Sequence, residues 1–413
     1  MGSFDGTYNF NFGDEQGQKW SLSGLAKNTQ SGGPLASHVY DMPGTYTVTV
    51  GSSNLTITVQ DPNVVYAGTN TVCVSGSANY VGCPAGAAQQ ASIPSPLSGK
   101  RVLLHRGESF PAIALRNTDS NFQIGAFGSG AKPTIGGLAA GMVTGVASWV
   151  NDFTVMDLNI GSGSVNIDAT VTRFLLYRND IKAPGSSDAM VNIGTAATYY
   201  QSHGSGSVPS AMPWPREVFI VENDIQGVVN SVSKPNLVVM GYFYKSALLG
   251  NIIDKATEHS LRIWAASKVQ ISHNLVGGNH YAPNPPGIRG AVKIHSGGTL
   301  PFTSLIGTSA TPATSQVILS NNIIGSTTYP GSFLSGMGPQ NADPGTVEGL
   351  EDCITENNMY VRGPYTTSEL QLRGRRMTAR GNTVQGGGTP NISSINANFD
   401  PGMATWNGPY FLQ

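Results

Sequence analysis

Cationic side chains are concentrated in one stretch of a chain that is otherwise poor in charge. Residues 258–298 contain four of the seven histidines, two arginines and two lysines, whereas only 11% of all residues are charged. Cationic groups that lie close together can neutralise carboxylates and transfer protons. The stretch therefore indicates a site for an acidic ligand.

Alternation in two short strands of this stretch predicts which cations face outward. The strands are "HSLRIW" and "GAVKIH". Successive side chains of a strand point to opposite faces, so the aliphatic residues enter the core and their neighbours face outward. Arg262 and Trp264 then face outward from one strand, and Lys293 and His295 from the next. Because stacked strands lie ~4.8 Å apart, we expect Arg262 beside Lys293 and Trp264 beside His295.

Further residues are predicted to complete the site. His259 begins the first strand, and Asn192 falls in the same outward column two rungs earlier. The long loop "VGGNHYAPNPPGIRG" between the strands adds three more side chains, and loops of this kind often form a binding wall. The predicted catalytic residues are Lys293, Arg262, His295 and His259, and the predicted substrate-binding residues are Trp264, Tyr281, Arg289, His280, Asn192, Tyr242 and Arg373.

These residue types suit β-elimination in a polysaccharide that contains uronic acids. The proton on C5 of a uronate becomes acidic when its carboxylate is neutralised, which Arg, Lys, protonated His or Ca²⁺ can do. A base then removes that proton, and an acid protonates the leaving oxygen. An aromatic ring such as Trp264 or Tyr281 can stack on a sugar face. The sequence leaves open whether Lys293, His295 or a tyrosine is the base, and whether Ca²⁺ is needed.

The strands that position these residues recur along the chain. Short apolar strands end in Asn or Asp followed by another apolar residue, as in "FLLYRNDIKAP", "VFIVENDIQGV" and "VILSNNIIGST". The asparagines are Asn179, Asn223, Asn251, Asn274, Asn322, Asn358 and Asn382. Their recurrence along the chain, without helices between them, predicts stacked rungs that share one core. We expect each Asn to tolerate the left-handed backbone conformation at a rung corner and to hydrogen-bond to the Asn of the next rung. The predicted fold class is all-β, with a right-handed parallel β-helix over residues 62–413.

Residues 1–61 form a separate predicted domain. Their strands alternate with period two, and Pro43-Gly44 sets a turn before one of them. The pieces "FNFGD", "HVYDMPGTYTVTV" and "LTITV" resemble the PKD domain, a small immunoglobulin-like β-sandwich. The resemblance implies a spacer or weak glycan-binding module. Since no reactive cluster is evident there, we expect the domain to be dispensable for chemistry.

Composition limits the classes of partner and compartment. The chain has 23 basic and 24 acidic residues, a formal net charge of −1, which argues against nucleic acid as the main partner. No apolar run is long enough to span a membrane. Cys73 and Cys83 could close a disulfide loop and leave Cys353 free. We expect a monomer, secreted or periplasmic after loss of a leader peptide, that acts on an acidic polysaccharide.

Two further stretches carry a family resemblance. "GKRVLLHRGESF" and "FQIGAFGSGAKPTIGG" resemble the opening rungs of secreted bacterial proteins of the pectate-lyase-like β-helix superfamily. Arg262 in "HSLRIW" and Lys293 in "AVKIHSG" are similar to the acid and base on neighbouring rungs of the alginate lyase and chondroitinase B-like group. In this chain the arginine precedes the lysine, the reverse of that group. The resemblance implies a polysaccharide lyase, with Ca²⁺ as a candidate cofactor.

Two other functions stay open at this point. A glycoside hydrolase on the same fold would use paired carboxylates, for which Asp152, Asp157, Asp188 and Asp224 are candidates. Asp157 and Asp224 belong to the corner motifs, where a structural role is the simpler interpretation. A non-catalytic glycan-binding β-helix would use the cations for binding alone.

Overall fold

The computed structural model consists almost wholly of short strands. An N-terminal antiparallel sheet is followed by a right-handed parallel β-helix, which confirms the predicted fold class. The structure describes residues 4–116, 118–140, 149–161, 163–167, 170–182, 189–193, 215–227, 236–256, 259–277, 291–295, 314–325, 337–338, 350–361, 369–370, 372 and 376–392.

The N-terminal sheet has four strands in the order β2-β1-β3-β4. They are β1 (Tyr8–Asn11), β2 (Thr29–Gly32), β3 (Gly44–Val50) and β4 (Ser53–Val59). An α-helix at Pro62–Val65, whose N-cap is Asp61, and a 3₁₀-helix at Gly68–Asn70 lead into the first rung. Strand β2 is not among the strands predicted from the sequence. The PKD likeness and the domain division at residue 61 stay predictions.

The rungs of the β-helix build three parallel faces, named A, B and C. Face A comprises Ile113–Leu115, Leu138–Ala140, Val165–Ile167, Ala189–Ile193, the first halves of Asn236–Leu249 and Leu261–Ser272, Val292–His295 and Met337–Gly338. Face B comprises Thr71–Val74, Ala88–Gln90, Arg101–His105, Ser120–Phe127, Trp149–Met156, Thr170–Tyr177, Arg216–Val221, the second halves of the two long strands, Thr314–Ser320, Leu350–Glu351, Ile354–Glu356 and Thr378–Arg380. Face C comprises Ser109–Phe110, Thr134–Ile135, Asn159–Ile160, Asp180–Ile181, Asp224–Gln226, Ile252–Asp254, Leu275–Val276, Ile323–Ile324, Met359–Tyr360 and Thr383–Val384.

One apolar core runs between the three faces. It is built from the inward side chains of successive rungs, and most of them are fully buried. In face B, Phe122, Phe153 and Phe174 stack with ring centroids 5.0 and 4.2 Å apart. Because each rung buries its apolar side chains against the next, stacking supplies the core that a single rung lacks.

The predicted asparagines form a continuous ladder between faces B and C. The Nδ2 of Asn251 donates to Oδ1 of Asn274 at 2.9 Å, and the Nδ2 of Asn223 donates to Oδ1 of Asn251 at 3.0 Å. The same contacts join all seven asparagines from Asn179 to Asn382. The stacking is confirmed, but the expectation that each Asn adopts the left-handed conformation is wrong. The positive φ belongs to the residue before each ladder position, for example His273 (φ 62°), because the Asn side chain must point into the corner.

Two cysteines near the first rung are joined. Cys73 and Cys83 form a disulfide across a sequence separation of 10 residues, while Cys353 is free and buried. In the described part of the chain, no helix is long and apolar enough to cross a membrane.

The N-terminal segment packs on the outward side of face B. Trp20, which is 5% exposed, contacts a cluster of outward apolar side chains, namely Tyr177, Val221, Ala247 and Leu249. Its ring also stacks on His273 at 5.0 Å between centroids. The outward side of face B is therefore a second, smaller apolar core.

Polar contacts fix the position of the N-terminal segment on face B. Lys27 forms an ion pair with Glu222, and Asp41 accepts a hydrogen bond from the hydroxyl of Tyr177. Farther along the face, the backbone N–H of Gly33 donates to Oε1 of Glu356 at 2.7 Å. The segment thus contacts rungs that lie far apart in sequence and shields their backbone from water.

Candidate functional site

The outward side of face A carries one straight column of side chains. The strand register stacks Ala114, Ala139, Asn166, Asn192, Val239, Arg262, Lys293 and Gly338 in that order. The aliphatic residues on either side of each member from Ala114 to Lys293 lie in the core. The column changes from small residues, through two asparagines, to two cations on consecutive rungs.

Arg262 and Lys293 occupy neighbouring rungs, at the register that the alternation predicts. Arg262 is half-buried, and desolvation lowers the pKa of its guanidinium from the usual value. Lys293 is only 7% exposed. Both side chains also interact with other residues. Two cations in a partly desolvated setting have a strong electrostatic effect on an anion placed beside them.

Asn192 lies in the same column, two rungs before Arg262, as expected. Its Nδ2 donates to Oδ1 of Asn166 at 3.0 Å, and its own buried Oδ1 has no hydrogen-bond partner among the residues that the structure describes. A buried acceptor of this kind is suited to a donor from a ligand, such as a sugar hydroxyl.

The structure describes some of the other predicted site residues, and the rest lie outside the described ranges. The backbones of Trp264 and His295 pair on neighbouring rungs, and Tyr242 lies within Asn236–Leu249. His280, Tyr281, Arg289 and Arg373 lie outside the described residues. The catalytic and binding roles of all these residues stay predictions.

His259 lies two residues before the face A strand that carries Arg262. It is 2% exposed and lies at the turn that precedes the strand, where its backbone N–H donates to Oδ1 of Asn236 at 3.3 Å. In steps of two residues along the chain, His259 is followed by the core residues Leu261 and Ile263. The part of His259 in the site stays a prediction.

A second polar column, which sequence reasoning missed apart from one tyrosine, lies at the start of face B. It stacks Asn151, Thr172, Arg216, Tyr244, Ser267 and Ser315. The Nη1 of Arg216 donates to the hydroxyl of Tyr244 at 3.2 Å, and Ser315 donates to Ser267 at 3.2 Å. From Thr172 onward, each member stands seven residues before a ladder asparagine, and this constant offset is the signal that could have identified the column.

The candidate carboxylates of a hydrolase have structural partners. Asp152 binds the guanidinium of Arg173, and Oδ2 of Asp224 lies 2.9 Å from Nζ of Lys182. Asp157 has a positive φ at the corner between faces B and C, and Asp188 lies outside the described residues. Asp152, Asp157 and Asp224 are not on the outward side of face A, so these three do not form a carboxylate pair beside Arg262.

The acidic ligands that a metal ion requires are dispersed. Within the described ranges, no group of three or more His, Cys, Asp or Glu side chains could bind a metal ion. Hard cations such as Ca²⁺ need several oxygen ligands, often carboxylates. The need for Ca²⁺ stays open, and the described cations of face A can neutralise a carboxylate directly.

Comparisons with known proteins give a structural likeness and no match in sequence. No protein-family model matches this chain, and no curated protein matches its sequence. The solved structure of a polygalacturonase from Erwinia carotovora ssp. carotovora is similar, with a TM-score of 0.31 and 10% sequence identity, over 83% of this chain and 98% of that chain. A likeness of this degree does not extend that protein's activity to this chain.

Proposed function

We propose that the protein is a secreted lyase that cleaves a uronic-acid-containing polysaccharide by β-elimination on face A. The observation that carries the proposal is the pairing of Arg262 with Lys293 on neighbouring rungs, with Asn192 in the same column. A substrate lying along this column brings a uronate carboxylate to the two cations and a hydroxyl to the asparagine.

Each group has a defined part in the reaction. The planar guanidinium of Arg262 binds the carboxylate and stabilises the negative charge that builds up on it as the C5 proton leaves. Lys293 takes that proton, the C5–H electrons form the C4–C5 double bond, and the C4–O bond breaks. An acid, for which the protonated imidazole of His295 is a candidate, protonates the leaving oxygen. No water is consumed, and the product is an unsaturated uronate.

Two further features support a secreted enzyme of this kind. The Cys73–Cys83 disulfide is typical of proteins from oxidising compartments. The N-terminal segment covers part of face B, while the face A column includes half-buried polar side chains. Substrate binding on face A is therefore compatible with the docked N-terminal segment.

The test is incubation of the whole chain with polygalacturonate, alginate and chondroitin sulfate, followed by ultraviolet absorbance of the unsaturated product. A positioned base contributes ~10²–10⁴-fold to a rate, so Lys293→Ala should lower turnover by that order. Arg262→Lys should also lower it, because a point charge does not replace a planar fork. Lys182→Ala, which removes an ion-paired surface lysine, is the matched control. New reducing ends without ultraviolet absorbance would show hydrolysis and contradict the proposal.

A further inference from the structure

A second set of side chains, most of them charged, lies at the bend of successive face B rungs. It is named here the charged column, and it stacks Asp152, Arg173, Glu217, Lys245, Lys268, Gln316, Asp352 and Arg376. Each member stands six residues before a ladder position. All eight have a positive φ between 51° and 56°, a conformation that costs non-glycine residues free energy.

Most of the charged column alternates in sign and is paired. Arg173 binds Asp152 and also lies 4.0 Å from Glu217. At the other end, Nε of Arg376 donates to Asp352 at 2.6 Å. Opposite charges one rung apart attract each other, so this arrangement favours folding.

Lys245 and Lys268 break that alternation. They face each other on neighbouring rungs, and the next member, Gln316, is neutral. Among the residues that the structure describes, neither lysine forms an ion pair, although the Nζ of Lys245 lies 5.8 Å from the ring of Tyr244. Like charges directly opposite each other oppose folding. A carboxylate at Lys268 would have continued the pattern.

The lysine pair lies on the same rungs as the face A site. Lys245 follows Val239 by six residues and Lys268 follows Arg262 by six, within two continuous strands. Six residues of strand span ~20 Å. Arg262 and Lys293 on face A and Lys245 and Lys268 at the bend therefore place four cations on three consecutive rungs.

We propose that Lys245 and Lys268 form an anion subsite for the polysaccharide, which binds acidic groups of the same chain several sugars away from the cleaved bond. This inference rests on the proposed function for its substrate class. Binding of a carboxylate or sulfate relieves the repulsion between the two lysines, so the site is favourable when occupied and costs stability when empty. A polymer that turns from the face A column across the same rungs to the bend contacts both cation pairs, whereas a disaccharide is too short to do so.

The test is Lys268→Glu in the full chain, with thermal unfolding and affinity for polygalacturonate, alginate and chondroitin sulfate measured at low salt. Glutamate rebuilds the alternation, so the unfolding temperature should rise. Affinity for the polymers should fall about tenfold, more than for a disaccharide, because one attraction is lost and one repulsion gained. The loss should shrink in high salt, where exposed charges are screened. Lys268→Gln is the second variant, with a smaller loss expected.

Lys182→Glu is the matched control, because it makes the same charge change at a lysine that is paired with Asp224. It should lower the unfolding temperature and leave polymer affinity unchanged. Equal losses of affinity in both variants, no loss in Lys268→Glu, or no binding of any polymer to the wild-type chain would overturn the subsite. If the polymers bind in a Lys268-dependent manner but no unsaturated product forms, the subsite stands and the proposed lyase activity fails.

Discussion

Replacement of Asn251 by alanine should cost more stability than almost any other single polar substitution in this chain. Asn251 is fully buried in the middle of the ladder. Its Nδ2 donates to the carbonyl of Ile220 at 2.8 Å, and its Oδ1 accepts from the backbone N–H of Asn223 at 2.9 Å. Alanine leaves both backbone groups buried without these partners. Each such group costs about 1–3 kcal/mol, so we expect a loss of about 4 kcal/mol in the free energy of unfolding.

The comparison that isolates the ladder is Asn382→Ala. Asn382 makes the same kinds of hydrogen bond to Asn358 and to the carbonyl of Thr355, but it is 7% exposed at the end of the described ladder. Water can replace part of its bonding there, so we expect a loss of about 1–2 kcal/mol. Guanidinium unfolding followed by circular dichroism measures both variants. Suppose that the two variants show equal slopes of unfolding free energy against denaturant concentration. If Asn251→Ala then lost less free energy of unfolding than Asn382→Ala, the ladder would not be the source of stability that its geometry indicates.

Three other outcomes are expected. Trp20→Ala should destabilise the docked N-terminal segment by about 3–5 kcal/mol, seen as early proteolysis of residues 1–61, whereas Leu25→Ala, at an exposed position, should not. Burial lowers the pKa of His273 to about 4, so as the pH falls the unfolded chain takes up a proton at this residue before the folded chain does. The free energy of unfolding should therefore decrease by up to about 3 kcal/mol from pH 7 to pH 4. Thermal melts of His273→Gln should show a weaker dependence on pH. Reduction of the Cys73–Cys83 disulfide, which closes a short loop, should cost about 2–3 kcal/mol in the same assay if the entropic account of disulfide stability applies.

The ladder could be predicted from the sequence because its cause is local. An asparagine recurs at one offset from an apolar strand, and only a stacked arrangement uses that recurrence. The conformation of the corner was misassigned because asparagine tolerates a positive φ, whereas here the residue before each ladder asparagine adopts it. The conformational preference of a residue type indicates which backbone conformations it tolerates. The hydrogen bonds of the ladder determine which residue adopts the positive φ.

The covering of face B could not be predicted from alternation, but a signal was present. In "FLLY" and "VFIV" both sets of alternating side chains are apolar, which is typical of strands that are buried on both sides. The inward set meets the core, and the outward set meets the N-terminal segment. Which segment covers the outward set depends on contacts between residues more than 100 positions apart, such as Asp41 with Tyr177, and no local pattern encodes them.

The cations that are crowded in residues 258–298 separate in space. His273 lies under Trp20, His259 is buried before the strand, Lys268 stands in the charged column, and Arg262 and Lys293 share face A. Rungs of a β-helix bring together residues at equal positions in successive turns, whereas neighbours in one turn point to different faces. Closeness in sequence therefore indicated a cationic region, and only the register distinguished Arg262 and Lys293, which lie side by side on face A, from the basic residues at other positions of the rungs.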